Sequence, residues 1–85
     1  MAKMTKREKL RMAYQKLKDG YTLRYGTAVC FIGTDERWGS PSYGKEYIYW
    51  NYYGQSAKTV SMKNFKWLLD VIFEVEDYLD YILED

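Results

Sequence analysis

SMKNFKWLLDVIFEVEDYLDYILED, residues 61–85, is the stretch whose reading decides the fold. Ser61 suits an N-cap, and Phe65, Leu68, Leu69, Ile72, Val75, Leu79 and Ile82 recur at the i, i+3, i+4, i+7 spacing of an amphipathic helix. The spacing predicts a helix over 62–83, long enough at ~1.5 Å per residue to cross a small domain. On its polar side Asp70, Glu74, Asp77, Tyr81 and Glu84 follow one another at helical intervals, and Glu76 and Asp80 widen the stripe. Two features oppose this helix. Residues 67–85 contain no Lys or Arg to give i, i+4 ion-pair support. The carboxylates also gather at the C-terminal end, where the helix dipole already carries roughly −0.5 charge. Such a pattern requires compensation, either from cations of the same chain or from a partner.

The cations are at the other end. Residues 1–18 carry seven Lys or Arg against one Glu, a sum of +6; residues 19–69 carry six against four, a sum of +2; residues 70–85 carry seven carboxylates and no cation. These three segments add to the net +1, so a neutral total conceals a strong gradient. Thr5-Lys6-Arg7-Glu8 has the form of a capping box, Leu10, Ala13, Tyr14 and Leu17 keep helical spacing, and Asp19-Gly20 stops the helix, which is placed at 6–19.

Between the helices the period changes from 3.6 to 2. YTLRYG (21–26) and TAVCFIG (27–33) read as two strands, or as one broken at Gly26, and GTDERWGSPSYG (33–44) as a long loop. KEYIYWNYYG (45–54) alternates Tyr47, Tyr49, Asn51 and Tyr53 against Ile48, Trp50 and Tyr52, the strongest strand signal, and a short strand follows near 56–60. The expected fold is α+β, a single domain over 1–85. Its small, mostly antiparallel sheet of three to four strands is flanked by an N-terminal helix and a long C-terminal helix, in the order α-β-β-β-(β)-α.

Composition removes several functional classes. The 85 residues suffice for one core, well supplied by a 47% apolar fraction and by 3 Trp, 10 Tyr and 3 Phe. Cys30 is the sole cysteine and histidine is absent, so no internal disulfide forms and the usual general base and zinc ligand are missing. MAKMTKREK lacks the apolar core of a signal peptide, and no apolar run approaches ~18 residues. These features predict a soluble cytoplasmic protein with no membrane partner, no catalytic residue, no metal and no cofactor.

Four constellations remain as candidate binding surfaces. Arg7, Arg11 and Lys18 form one stripe of the first helix and Lys9 and Lys16 another, a solubilising face or a track for phosphates. Tyr47, Tyr49 and Tyr53 are either cross-strand packing or an exposed row that stacks bases or meets a protein. In the loop, Asp35 and Glu36 are adjacent and match neither a calcium loop nor a carboxylate pair across a cleft, while Trp38 and Tyr43 either cover the core or project toward a partner. Asp70, Glu74, Asp77, Asp80, Tyr81 and Glu84 either strap the basic helix of their own chain or imitate a phosphate backbone.

In size, tyrosine content and acidic surface the chain resembles the small proteins that bacteriophages encode to take over host machinery, anti-CRISPR proteins among them. That resemblance implies a stoichiometric inhibitor that blocks a nucleic-acid-processing enzyme of the host, with the acidic face as a phosphate mimic; Trp38, Tyr43 and the tyrosine row are, on the residues themselves, the added candidate contacts. The rival expectation is a nucleic-acid-binding module using Arg7, Arg11, Lys16 and Lys18 with the tyrosine face. A homodimer joining one chain's basic helix to the other's acidic helix satisfies the same charges.

Overall fold

A computed structural model describes residues 3–41, 43–52 and 54–84, so Tyr53 of the predicted aromatic row lies outside the described residues. Helix α1 spans Lys6–Lys18; Thr5 Oγ1 accepts from the Glu8 N–H at 3.1 Å, and Gly20 takes φ 99° beyond the end, as the capping residues predict. Leu10, Ala13 and Leu17 are its buried stripe.

Among the described residues five strands follow, every neighbouring pair antiparallel: β1 Thr22–Tyr25, β2 Ala28–Thr34, β3 Glu46–Asn51, β4 Gln55–Thr59 and β5 Ile82–Glu84. The order across the sheet is β4-β3-β2-β1-β5. The chain therefore breaks at Gly26, with φ 63°, into two strands. Register pairs Leu23 with Cys30 and Cys30 with Trp50, so one face presents Leu23, Tyr25, Cys30, Ile48 and Trp50. Those residues form the core with the buried stripe of α1 and with Phe65, Leu68 and Leu69. The helices thus cover a single face; Val29, Phe31, Tyr47 and Tyr49, on the other, stay half-buried.

The long C-terminal helix is corrected. Helix α2 spans only Met62–Trp67, capped by Ser61, whose hydroxyl accepts from the Asn64 N–H at 3.0 Å. It widens into a π-helical turn over Leu68–Ile72 and ends there. The Phe73 N–H donates to the Leu68 carbonyl and the Val75 N–H to the Leu69 carbonyl, each at 2.9 Å, while Glu74 turns the chain at φ 51°. This is a helix stop of the Schellman kind, one residue wider than usual, with a glutamate where glycine is favoured. The physical reason is the one that counted against the helix from the start: extending it would stack six more carboxylates on the negative end of the dipole with no cation in reach.

Beyond the turn the chain gains more from tertiary contacts than from helical ones. Tyr78 is buried to 2% exposure, and its carbonyl accepts from the Tyr25 hydroxyl at 2.9 Å. Residues 82–84 then pair with β1, Leu83 opposite Leu23 and Ile82 opposite Arg24, making the fifth strand where a helix end was expected. Among the described residues no helix is long and apolar enough to cross a membrane.

Glu74→Gly tests the turn by its sign. Relief of a left-handed glutamate gains ~1–2 kcal/mol and the extra chain entropy of glycine takes back ~0.5–1, so the variant should be more stable by about 0.5–1 kcal/mol in urea unfolding. A continuous helix through residue 74 would instead lose about 1 kcal/mol.

Candidate functional site

The packing of α1 against α2, marked by the Tyr14 and Phe65 rings at 5.5 Å, leaves an open recess of about 520 Å³ between the two helices. Lys6, Arg7 and Arg11 of α1 line one side, Met62 and Lys66 of α2 line the other, and Leu10 and Tyr78 complete the wall. The α2 side is electrically settled. Lys66 Nζ lies 2.6 Å from Asp70 Oδ2, and Asp70 Oδ1 accepts from the Tyr78 hydroxyl. Burial pushes the Asp70 carboxyl up, but the hydrogen bonds from Lys66 and Tyr78 and the charges of Lys66 and Lys6 outweigh it and hold the group below its ordinary range. Burial, then Asp70, pushes the Tyr78 hydroxyl up to about 12, so it remains a donor at neutral pH.

The α1 side is not settled. Arg7 and Arg11 are exposed one turn apart, and among the described residues no carboxylate lies within ion-pair distance of either. Lys6 stands over the Tyr78 ring at 5.7 Å. Lys16 and Lys18, further along the helix, lie over Tyr21 and Tyr14 at 5.7 and 5.6 Å and do not line the recess. Two open guanidinium forks beside an apolar wall suit a phosphate-bearing ligand, since each fork offers paired N–H donors in one plane.

The predicted acidic stripe is dispersed, because helical spacing stops at Ile72. Asp77 pairs with Lys9 at 3.1 Å, Glu84 with Arg24 at 2.9 Å across the β1–β5 ladder, and Asp70 with Lys66. The Leu79 N–H, then Lys9, hold the Asp77 carboxyl below its ordinary range. Tyr81 sets its ring against Tyr25 at 5.9 Å. Glu74, Glu76 and Asp80 are exposed and share no helix face. The strap to the same chain therefore exists, but it runs to Lys9 and not to Arg7, Arg11 or Lys18.

Tyr47 and Tyr49 lie on the open sheet face, where Tyr49 stacks on Phe31 at 5.6 Å and meets Tyr47 edge-on at 6.3 Å. Gly33 permits this, since a Cβ there would stand 3.1 Å from the Tyr49 ring. A second, more open groove of about 770 Å³ runs from Arg37 past Tyr47 and Tyr49 to Gln55. Above it Asp35, only 4% exposed, fastens the loop: its carboxylate accepts from the Arg37 N–H, Nε and Nη2 at 3.0, 3.1 and 3.0 Å. Trp38 projects from that loop at 88% exposure, its ring edge-on to Tyr43 at 5.2 Å, and does not cover the core.

The Arg37 hydrogen bonds hold the Asp35 carboxyl down at about 2. A depressed carboxylate stabilises the fold above its unfolded value of ~3.9 and loses that contribution as the pH falls through about 2. Asp35→Asn should therefore melt below the parent at neutral pH and converge with it as the pH falls from about 4 to 2; melting curves across that range check it. Burial raises the Cys30 thiol to about 12, which makes it a core side chain and not a nucleophile.

Lys6, Met62 and Lys66 were not singled out by the sequence, although the cations Lys63 and Lys66 at the start of the second helix were a signal for them. The fold and the recess together define a small α+β module, an open five-stranded antiparallel sheet carrying two helices on one face with a cationic recess between them. Comparison with protein-family models, with curated proteins and with solved structures finds no match to this chain.

Proposed function

We propose that the protein is a non-enzymatic nucleic-acid-binding module whose contact surface is the recess between α1 and α2. One observation carries this reading: Arg7 and Arg11 stand open on the rim, without carboxylate partners among the described residues, while Asp70, Asp77 and Glu84 are engaged by Lys66, Lys9 and Arg24. Of the two binding classes the sequence allows, the phosphate mimic needed a continuous acidic helix, which ends at Ile72. The phosphate binder was expected to join α1 to the tyrosine row; Tyr47 and Tyr49 of that row lie on the other face of the sheet, so the reading rests on the cations of α1. We place the module in the cytoplasm, acting on nucleic acid directly or beside a nucleic-acid enzyme of the host.

The test is fluorescence anisotropy of labelled oligonucleotides. With Lys6, Arg7 and Arg11 each meeting one phosphate, log affinity should fall with log salt at a slope of about −2, roughly 20-fold between 50 and 200 mM. Absence of binding at low salt sinks the reading.

A second reading, a protein partner on the opposite face, is favoured by Trp38, an exposed aromatic on a loop that the Asp35–Arg37 pair fastens. An inhibitor of the phage kind would use such an anchor. Its test is a comparison of parent and Trp38→Ala in quantitative affinity capture, where a partner of this loop must be lost from the variant alone.

A further inference from the structure

The α1–α2 recess offers an apolar wall as well as cations. Contacts to a duplex backbone are made by a cationic ridge, since the phosphates lie outermost and the bases are stacked inside. Here the cations rim a hollow of about 520 Å³, within the ~300–1,000 Å³ range of small-ligand sites, and its wall includes Leu10, Met62 and Tyr78. Met62 is partly exposed at the start of α2, so apolar surface is open to an entering group.

The two sides of the hollow also differ in charge. On α1, Arg7 and Arg11 are open; on α2, Lys66 is neutralised by Asp70 at 2.6 Å. A phosphodiester is drawn to the α1 side, where positive charge is uncompensated, and what hangs from it points across toward Met62. Of the parts of a nucleic acid only a base is flat, largely apolar on its faces and large enough to use that space, and only an unpaired strand can turn one out at little cost. We infer that the recess takes one unstacked base of a single-stranded nucleic acid, against Met62 and over a floor made by the largely buried Leu10 and Tyr78, with its flanking phosphates on Arg7 and Arg11. This inference rests on the nucleic-acid reading above and adds to it the strandedness of the ligand and the direction in which it lies.

Four probes of equal length separate the two claims: a labelled single-stranded DNA, the corresponding RNA, the DNA duplex, and a single strand with abasic sites throughout its centre. At low salt the intact single strands should bind about tenfold more tightly than either the duplex or the abasic strand. Met62→Ala, which removes the exposed apolar contact without changing charge, should bring the intact strand toward the abasic level with the salt slope unchanged. If the duplex or the abasic strand binds as tightly as the intact strand, the inference is overturned while nucleic-acid binding stands; if none of the four binds, both are overturned. A folded Met62→Ala protein with parental affinity also overturns it. The abasic strand asks the same question without altering the protein, so the inference remains testable even where the variant misfolds.

Discussion

Phe65→Ala should lower the melting temperature by at least about 12 °C, whereas Ile82→Ala should be close to neutral. Both positions belong to one apolar seam when the sequence is read as a continuous helix, so their difference measures where that helix ends. Phe65 is fully buried against Tyr14 and the sheet, and truncation of such a ring costs ~3–5 kcal/mol through lost transfer energy and the cavity left behind. A domain of this length has a total stability of ~4–13 kcal/mol, and each kcal/mol moves the melting temperature by roughly 4–8 °C. The variant should therefore melt at least about 12 °C lower, with a proportionate fall in the urea midpoint. Ile82 is 62% exposed on the edge strand, where a truncation costs about 0.5 kcal/mol or less. An Ile82→Ala penalty of 2 kcal/mol or more would restore the helix and remove β5.

That contrast also locates what could be read without the structure. Thr5, Glu8 and Gly20 set the limits of α1 because capping is local chemistry, and the buried stripe of the helix agrees with it. The alternation of β3 assigned Ile48 and Trp50 to one face and Tyr47 and Tyr49 to the other for the same reason: the two-residue period is a property of the chain itself. The C-terminal segment misleads because its spacing is truly helical as far as Ile72, and Val75 and Leu79 prolong the pattern by a few residues while serving an irregular segment. The counter-signal was electrostatic, a run of carboxylates toward the negative end of the dipole, and it was visible in the sequence. What was not visible is the hydroxyl of Tyr25, 53 positions away, waiting for the carbonyl of Tyr78. The recess was hidden in the same way. Each helix alone shows an ordinary amphipathic pattern, and the hollow exists only once α1 and α2 lie together.

Reversal of Arg7 and Arg11 should abolish nucleic-acid binding without harming the fold. At a slope of about −0.7 per phosphate contact, each contact contributes roughly fivefold in affinity at 0.1 M salt relative to 1 M, so neutralising both as Arg7→Gln/Arg11→Gln removes about 25-fold. Arg7→Glu/Arg11→Glu adds repulsion to that loss, and affinity should fall at least about 100-fold, below detection for an interaction that begins in the micromolar range. Unfolding cannot counterfeit this result. Both side chains are exposed and have no ion-pair partner among the described residues, and a glutamate at position 7 sits in the first turn of α1, where the dipole favours negative charge. The melting temperature should therefore stay within a few degrees of the parent. Two carboxylates that do not line the recess supply the control. Glu76 and Asp80 are exposed carboxylates outside any helix, and Glu76→Lys/Asp80→Lys should leave affinity unchanged or raise it slightly through the general field. A phosphate-mimicking inhibitor demands the reverse: loss of its protein partner in the Glu76→Lys/Asp80→Lys variant and indifference to Arg7 and Arg11. The two double variants, measured side by side, divide a surface that binds phosphates from one that imitates them.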